Sequence, residues 1–154
     1  MKRKIAICLA MLMLWMPYSA GKAMPEVSSH SACVIDIDTG RILAAKKENE
    51  KSEPASITKI MTALIALENA DIKKVVTIPS AAAGVEGSSI YIKAGEKYSL
   101  EDLLYGLMLR SGNDAATAIA IDVAGSVDAF VEKMNQKAQE LGCTGTHFNN
   151  PHGL

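Results

Sequence analysis

Apolar positions along this chain follow two different periods. Residues 31–37 are rich in Val and Ile, Asp38-Thr39-Gly40 follows, and residues 41–45 are apolar again after Arg41. Two extended stretches around a short Gly-containing turn predict a β-hairpin. Residues 46–53 are charged and solvated, and Pro54 closes that loop. From Ser56 the period becomes helical and runs to about Asn69. Ile60, Leu64 and Leu67 share one face there, with Met61 and Ile65 beside them. Residues 75–78 and 90–93 read as brief strands. Residues 81–89 read as a loop or short helix of small residues, and Ala94-Gly95-Glu96 as a turn.

The second half is helical. Ser99 is a good N-cap, and Leu100, Leu103, Leu104, Leu107 and Met108 then repeat at i, i+3, i+4, i+7 and i+8. Ser111-Gly112-Asn113 interrupts the pattern. Residues 114–124 are apolar nearly all round, as in a buried helix, and Gly125 ends them. Ser126 caps a last helix with Val127, Phe130, Val131, Met134, Ala138 and Leu141 inward and Gly142 as its stop. Residues 143–154 form a loop. One hairpin and a few short strands beside four helices leave sheet edges open and a wholly apolar helix to be covered. A C-terminal part completing the sheet is therefore expected beyond this sequence. Without it, poor cooperativity and exposed apolar surface are expected.

The first 23 residues have a different grammar. Lys2, Arg3 and Lys4 precede an uncharged apolar run over residues 5–16, Pro17 ends it, and Gly21 and Ala23 follow. This is the build of a secretory signal peptide cleaved after Ala23. A spanning helix needs about 20 apolar residues, so an uncut signal anchor is the lesser reading. Cys8 lies inside the apolar run, away from any lipidation point. Export permits a disulfide between the remaining Cys33 and Cys143. Two lone cysteines more often serve as small buried apolar residues, and that is the expectation here. His30, His147 and His152 are too scattered for a metal site, and no cofactor is expected.

Composition sets further bounds. The chain of 154 residues is 49% hydrophobic and 21% charged, which excludes disorder for the bulk. Four of its 16 basic residues (Lys2, Arg3, Lys4, Lys22) and none of its 17 acidic ones precede residue 24, so residues 24–154 carry a net charge of −5. That field repels a polyanion, and nucleic acid is not an expected partner.

Two short motifs carry candidate chemistry. Ser56-Ile57-Thr58-Lys59 places a hydroxyl and an amine at i and i+3 of a helix start, with Cβ atoms about 5–6 Å apart. A neutral Lys59 can take the Ser56 proton as the hydroxyl attacks a carbonyl. The positive end of the helix and burial both favour that neutral form. The plain alternative is an N-cap serine and a surface lysine. The spacing alone is weak: Ser19 and Lys22 share it. A helix built only for stability, however, would carry an acid at that position. Ser111-Gly112-Asn113 places a hydroxyl and an amide beside the core, with helix capping by Ser111 or Asn113 as the plain alternative.

The combination is more specific. Ser-x-x-Lys occurs with Ser-Asp-Asn and Lys-Thr-Gly in penicillin-binding proteins and class A β-lactamases, and here the second motif reads Ser-Gly-Asn, 55 positions after Ser56. With the strings at residues 54–62, 109–115 and 148–154, the chain resembles the serine D-alanyl-D-alanine carboxypeptidases. These are low-molecular-mass penicillin-binding proteins, and the sporulation-type members look closest. The resemblance runs from about Ser31 to Leu154. It implies an α/β fold of the β-lactamase/transpeptidase type, with a helical subdomain and a sheet left incomplete in this chain. Residues 24–154 would be the N-terminal part of such a domain.

The resemblance also implies roles. Ser56 would be the acyl-ester nucleophile and its N–H an oxyanion donor; Lys59 would be the proton acceptor. Ser111 would relay a proton to the leaving D-alanine, and Asn113 would position the substrate amide. The implied partners are peptidoglycan stem peptides ending in D-Ala-D-Ala, with β-lactams as inhibitors. The implied location is outside the cytoplasm, and membrane association would need the family's C-terminal tail. Lys-Thr-Gly occurs nowhere in the sequence. The family strand that bears it, which holds the substrate carboxylate, would follow Leu154. A non-catalytic remnant binding wall peptide weakly and a class A-type β-lactamase are the alternatives. The Ser-Gly-Asn form and residues 149–154 favour the carboxypeptidase.

Overall fold

The computed structural model describes residues 26–154, which divide into two units between residues 50 and 51. The expected signal peptide, with Cys8, lies outside the described residues. In the first unit, strands β1 (Ala32–Ile35) and β2 (Ile42–Lys46) pair antiparallel, Cys33 opposite Ala45, with a bulge between Val34 and Ile35. The Asp36 carboxylate forms the turn by accepting from the Thr39 N–H at 2.9 Å and the Thr39 hydroxyl at 2.6 Å. Gly40 sits at φ +68°, which a glycine adopts without strain. The hairpin is the one predicted from two extended stretches around Asp38-Thr39-Gly40.

The second unit contains strands β3 (Val75–Thr77) and β4 (Lys97–Ser99), paired antiparallel, and four helices. These are α1 (Thr58–Asn69), α2 (Leu100–Arg110), α3 (Asn113–Ala124) and α4 (Val127–Glu140). Helix α3 is the centre. Its alanines at 115, 116, 118 and 120 are all buried, and their small side chains let α1, α2 and α4 approach its axis. On one side lies a core that includes Leu100, Leu103, Leu107 and Ile119; on the other, Ile65 and Ala120 pack with Phe130 and Met134.

Helix starts follow the sequence where a cap is present. The Ser99 side chain accepts from the Asp102 N–H, and the Asp102 carboxylate returns to the Ser99 N–H, a reciprocal capping box. Ser126 accepts from the Ala129 N–H.

Four expectations are corrected. Residues 90–93 are not a strand: Tyr91 has φ +62°, and the N–H groups of Ile90 and Ile92 bond to the Asp114 carboxylate rather than to a neighbouring strand. The strand that pairs with β3 is β4, after the turn at Gly95. On α1 the inward face carries Thr58, Lys59, Thr62, Ile65 and Ala66, while Ile60 and Leu67 are more than half exposed. Polar residues can lie inward there because backbone carbonyls of residues 151 and 152 accept from Thr62 and Lys59. Leu141 caps the end of α4 and is exposed. Finally, Cys33 and Cys143 are free thiols on exposed residues rather than buried ones.

Candidate active site

Ser56 lies in a single 3-10 turn, Ala55–Ile57, that leads into α1. Ala55 before it has φ +49°, a left-handed conformation unfavourable for a residue with a Cβ. Ser56 itself is exposed and caps nothing: Ile57 stands at the N-cap of α1, with no side-chain cap bond. Its hydroxyl is free for other partners.

Those partners come from α1 and from the α2–α3 junction. Lys59 Nζ lies 3.4 Å from Ser56 Oγ, as the i to i+3 spacing predicts. The Ser111 hydroxyl, 55 residues away in sequence, donates to Ser56 Oγ at 3.0 Å. Ser111 is the C-cap of α2 in a left-handed conformation, φ +56°, which reverses the chain and turns its side chain back to Ser56. Gly112, not Ser111 or Asn113, stands at the N-cap of α3, with no side-chain cap bond. The plain capping alternatives for Ser56, Ser111 and Asn113 therefore do not describe this structure, whereas Ser99 and Ser126 do cap.

Lys59 is not a surface lysine either: it is 3% exposed. Burial pushes its amine below the usual lysine range by penalising the ammonium form. Its position in the first turn of α1 acts in the same direction. Nζ donates to the His152 carbonyl at 3.1 Å. Burial, with the Lys59 charge as a second cause, also lowers the His152 ring below its ordinary value, which favours a neutral imidazole.

Asn113 is 3% exposed. Its Nδ2 donates to the Glu86 carbonyl at 2.7 Å, and its N–H to the Ser88 carbonyl at 2.7 Å. A Cβ on Gly87 would stand 2.6 Å from that Nδ2, so this loop needs glycine to lie against Asn113. The Glu86 bond fixes the amide orientation, and Oδ1 is the side chain's acceptor for a ligand N–H.

The sequence reading gave no role to several residues that hold this arrangement. Asp114 is fully buried and accepts from Ser89 Oγ at 2.6 Å and from the Ile90, Ile92 and Ala115 N–H groups. Burial pushes its carboxyl up, but these hydrogen bonds outweigh burial and hold it below the usual carboxylate range. Thr62 Oγ1 donates to the Pro151 carbonyl at 2.6 Å. Gly153, φ +81°, lies so close to the Ala55 carbonyl that any Cβ would collide with it. The Thr62 and Gly153 contacts join residues 89 or more positions apart and those of Asp114 to Ser89, Ile90 and Ile92 span 22–25, and no local pattern announces them. The resemblance of residues 148–154 was the one signal.

Chemically, the site joins an exposed hydroxyl, a second hydroxyl and a buried amine biased toward its neutral form. That set can deliver a nucleophilic oxygen to an acyl carbon and move a proton along hydroxyl and amine.

Comparison with known proteins agrees in kind. Residues 19–154 match the D-alanyl-D-alanine carboxypeptidase family. The chain is similar to the D-alanyl-D-alanine carboxypeptidase DacF of Bacillus subtilis, 43% identical over 141 residues, covering 87% of this chain and 36% of the relative. Among solved structures, a D-alanyl-D-alanine carboxypeptidase of Mycobacterium tuberculosis superposes with a TM-score of 0.83 at 37% identity, over 88% of this chain and 51% of that one. Penicillin binding protein 5 of Haemophilus influenzae gives a TM-score of 0.78 at 32% identity, over 85% and 40% of the two chains. The chain thus spans about a third to a half of the length of these relatives. The α/β fold of the penicillin-binding type, implied by the resemblance, is the fold these structures share with it.

Proposed function

Because the chain belongs to the D-alanyl-D-alanine carboxypeptidase family, we propose that residues 24–154 are the N-terminal part of an exported serine carboxypeptidase domain. It acts on peptidoglycan stem peptides ending in D-Ala-D-Ala. Ser56 attacks the carbonyl of the penultimate D-alanine while Lys59 takes its proton. The Ser56 N–H supplies one donor to the oxyanion. Ser111 passes a proton to the departing amine, so free D-alanine leaves and the peptide remains as an ester on Ser56. Water then hydrolyses the ester, with the same groups returning the proton. Asn113 accepts the substrate's amide N–H on Oδ1. β-Lactams acylate the same serine, because their strained carbonyl presents the same target.

The observation that carries this reading is the meeting of Ser56, Lys59 and Ser111, with the lysine buried and its ammonium form penalised. Lys-Thr-Gly is absent from the sequence, so this chain is expected to react far more slowly than one extended to family length. Incubating the extended chain with a stem pentapeptide should release one D-alanine per peptide. Loss of release in Ser56→Ala and Lys59→Ala supports the proposal; unchanged release overturns it. Export is tested separately: the secreted protein should begin near Met24, and a soluble cytoplasmic product retaining Met1 would contradict it.

A further inference from the structure

Residues 150–154 form a turn held by one side chain. Asn150 Oδ1 accepts from the His152 N–H at 3.1 Å and from the Gly153 N–H at 2.6 Å, and Nδ2 donates to the Leu154 carbonyl at 2.9 Å. This is an Asx-type turn, in which the side chain replaces backbone partners. The opposite side of the turn faces α1. Pro151 is fully buried and its carbonyl accepts from Thr62 Oγ1; the next carbonyl, of His152, accepts from Lys59 Nζ. Gly153 lies against the Ala55 carbonyl and Thr58 Oγ1, where a Cβ has no room. The turn therefore touches α1 beside the reactive serine and at the buried amine.

A neutral amine has two N–H donors and one lone pair, and its terminal rotor has three equivalent settings. To accept the Ser56 proton it must point the lone pair at Oγ. Fixing one N–H on a carbonyl removes much of that rotational freedom. We propose that Asn150 is a positioning residue for the Lys59 amine: by closing the turn it holds the His152 carbonyl where it takes one Lys59 N–H and directs the lone pair toward Ser56. This rests on the reading of Lys59 as proton acceptor. Two neutral hydroxyls, Ser56 and Ser111, belong to the same cluster. The titratable group on the turn itself is the His152 ring, which burial and the Lys59 charge push toward its neutral form.

The test follows Lys59 directly. Carbon-13 labelling of lysine side chains lets NMR follow the Lys59 titration, and penicillin acylation is timed on the same proteins at family length. A carbonyl acceptor favours the ammonium form, so losing it should lower the Lys59 titration. Asn150→Ala should do so and slow acylation about tenfold or more, as misplacement of a reacting group does. Asn150→Ser, whose hydroxyl can form a weaker version of the turn, should recover much of both. Thr62→Val loosens the turn from the helix side and should shift both readouts the same way; it decides the matter if Asn150→Ala does not fold. A folded Asn150→Ala protein with unchanged Lys59 titration and acylation overturns the proposal, as does lowered thermal stability alone. If the unmodified protein is not acylated yet Asn150→Ala still shifts the Lys59 titration, the functional reading fails and the positioning role stands.

Discussion

Lys59 is the residue on which the chemistry turns. An ammonium cannot accept a proton, and this amine is pushed below the usual lysine range by burial. Acylation should therefore rise with pH as Lys59 deprotonates, with its midpoint below that of an ordinary lysine. Measuring the acylation rate by β-lactam against pH checks this; a midpoint at the ordinary lysine value would contradict it. Lys59→Ala keeps the Ser56 hydroxyl but removes its base, so acylation should slow by about 10²–10⁴-fold. The motif that contains both residues was legible in the sequence, but its spacing alone was weak, and its meaning came only with Ser111-Gly112-Asn113 and the family resemblance. Ser19 and Lys22 share the same spacing. At Ser56 and Lys59 the structure adds burial of the lysine and the arrival of Ser111 from a distant helix junction.

Among the elements, helices with local start signals were the most readable. Ser99 and Asp102 form their box within four residues, and Ser126 caps α4 just as locally. Ser99→Ala should lower stability by about 1 kcal/mol in denaturant unfolding while leaving acylation unchanged. The misread elements are those decided by distant partners. Residues 90–93 have the composition of a strand, yet their N–H groups are taken by Asp114, more than 20 positions away. The inward face of α1 was misjudged because Ile60 and Leu67 are the more apolar choice. Lys59 and Thr62 lie inward only because residues 151 and 152 supply acceptors. Asp114 gives this scale its pH dependence. Its folded carboxyl titrates below the unfolded value, so the unfolded chain binds more protons in that window. The stability it contributes is present above the ordinary carboxylate range and is lost as pH falls through the lowered value. Acid unfolding of Asp114→Asn should lack that component and begin from a protein about 3 kcal/mol less stable at neutral pH. An identical acid limb in both proteins would contradict the assignment.

For the whole molecule, apolar surface remains uncovered in both units. Ile35, Ile37, Ile42 and Leu43 are exposed in the hairpin, and Ile57, Ile60, Leu67 and Leu109 in the helical unit. Isolated apolar residues on a surface are ordinary, but those at 57, 60 and 67 belong to one helix and its entry turn. The 154-residue chain should bind a hydrophobic dye and unfold over a broad range; a sharp two-state transition of a monomer with no dye binding would contradict this. None of the helices among the described residues is long and apolar enough to cross a membrane.

The central claim is that Ser56 is the residue that becomes acylated. Intact-protein mass spectrometry after incubation with benzylpenicillin tests it most directly, using the chain at family length, its Ser56→Ala variant and the 154-residue form. The account predicts one penicilloyl mass on the extended chain, located on the peptide containing Ser56. It predicts far weaker labelling of the short form and none of Ser56→Ala. An adduct forming on Ser56→Ala at the unmodified rate would falsify the assignment of Ser56 and the mechanism built on it.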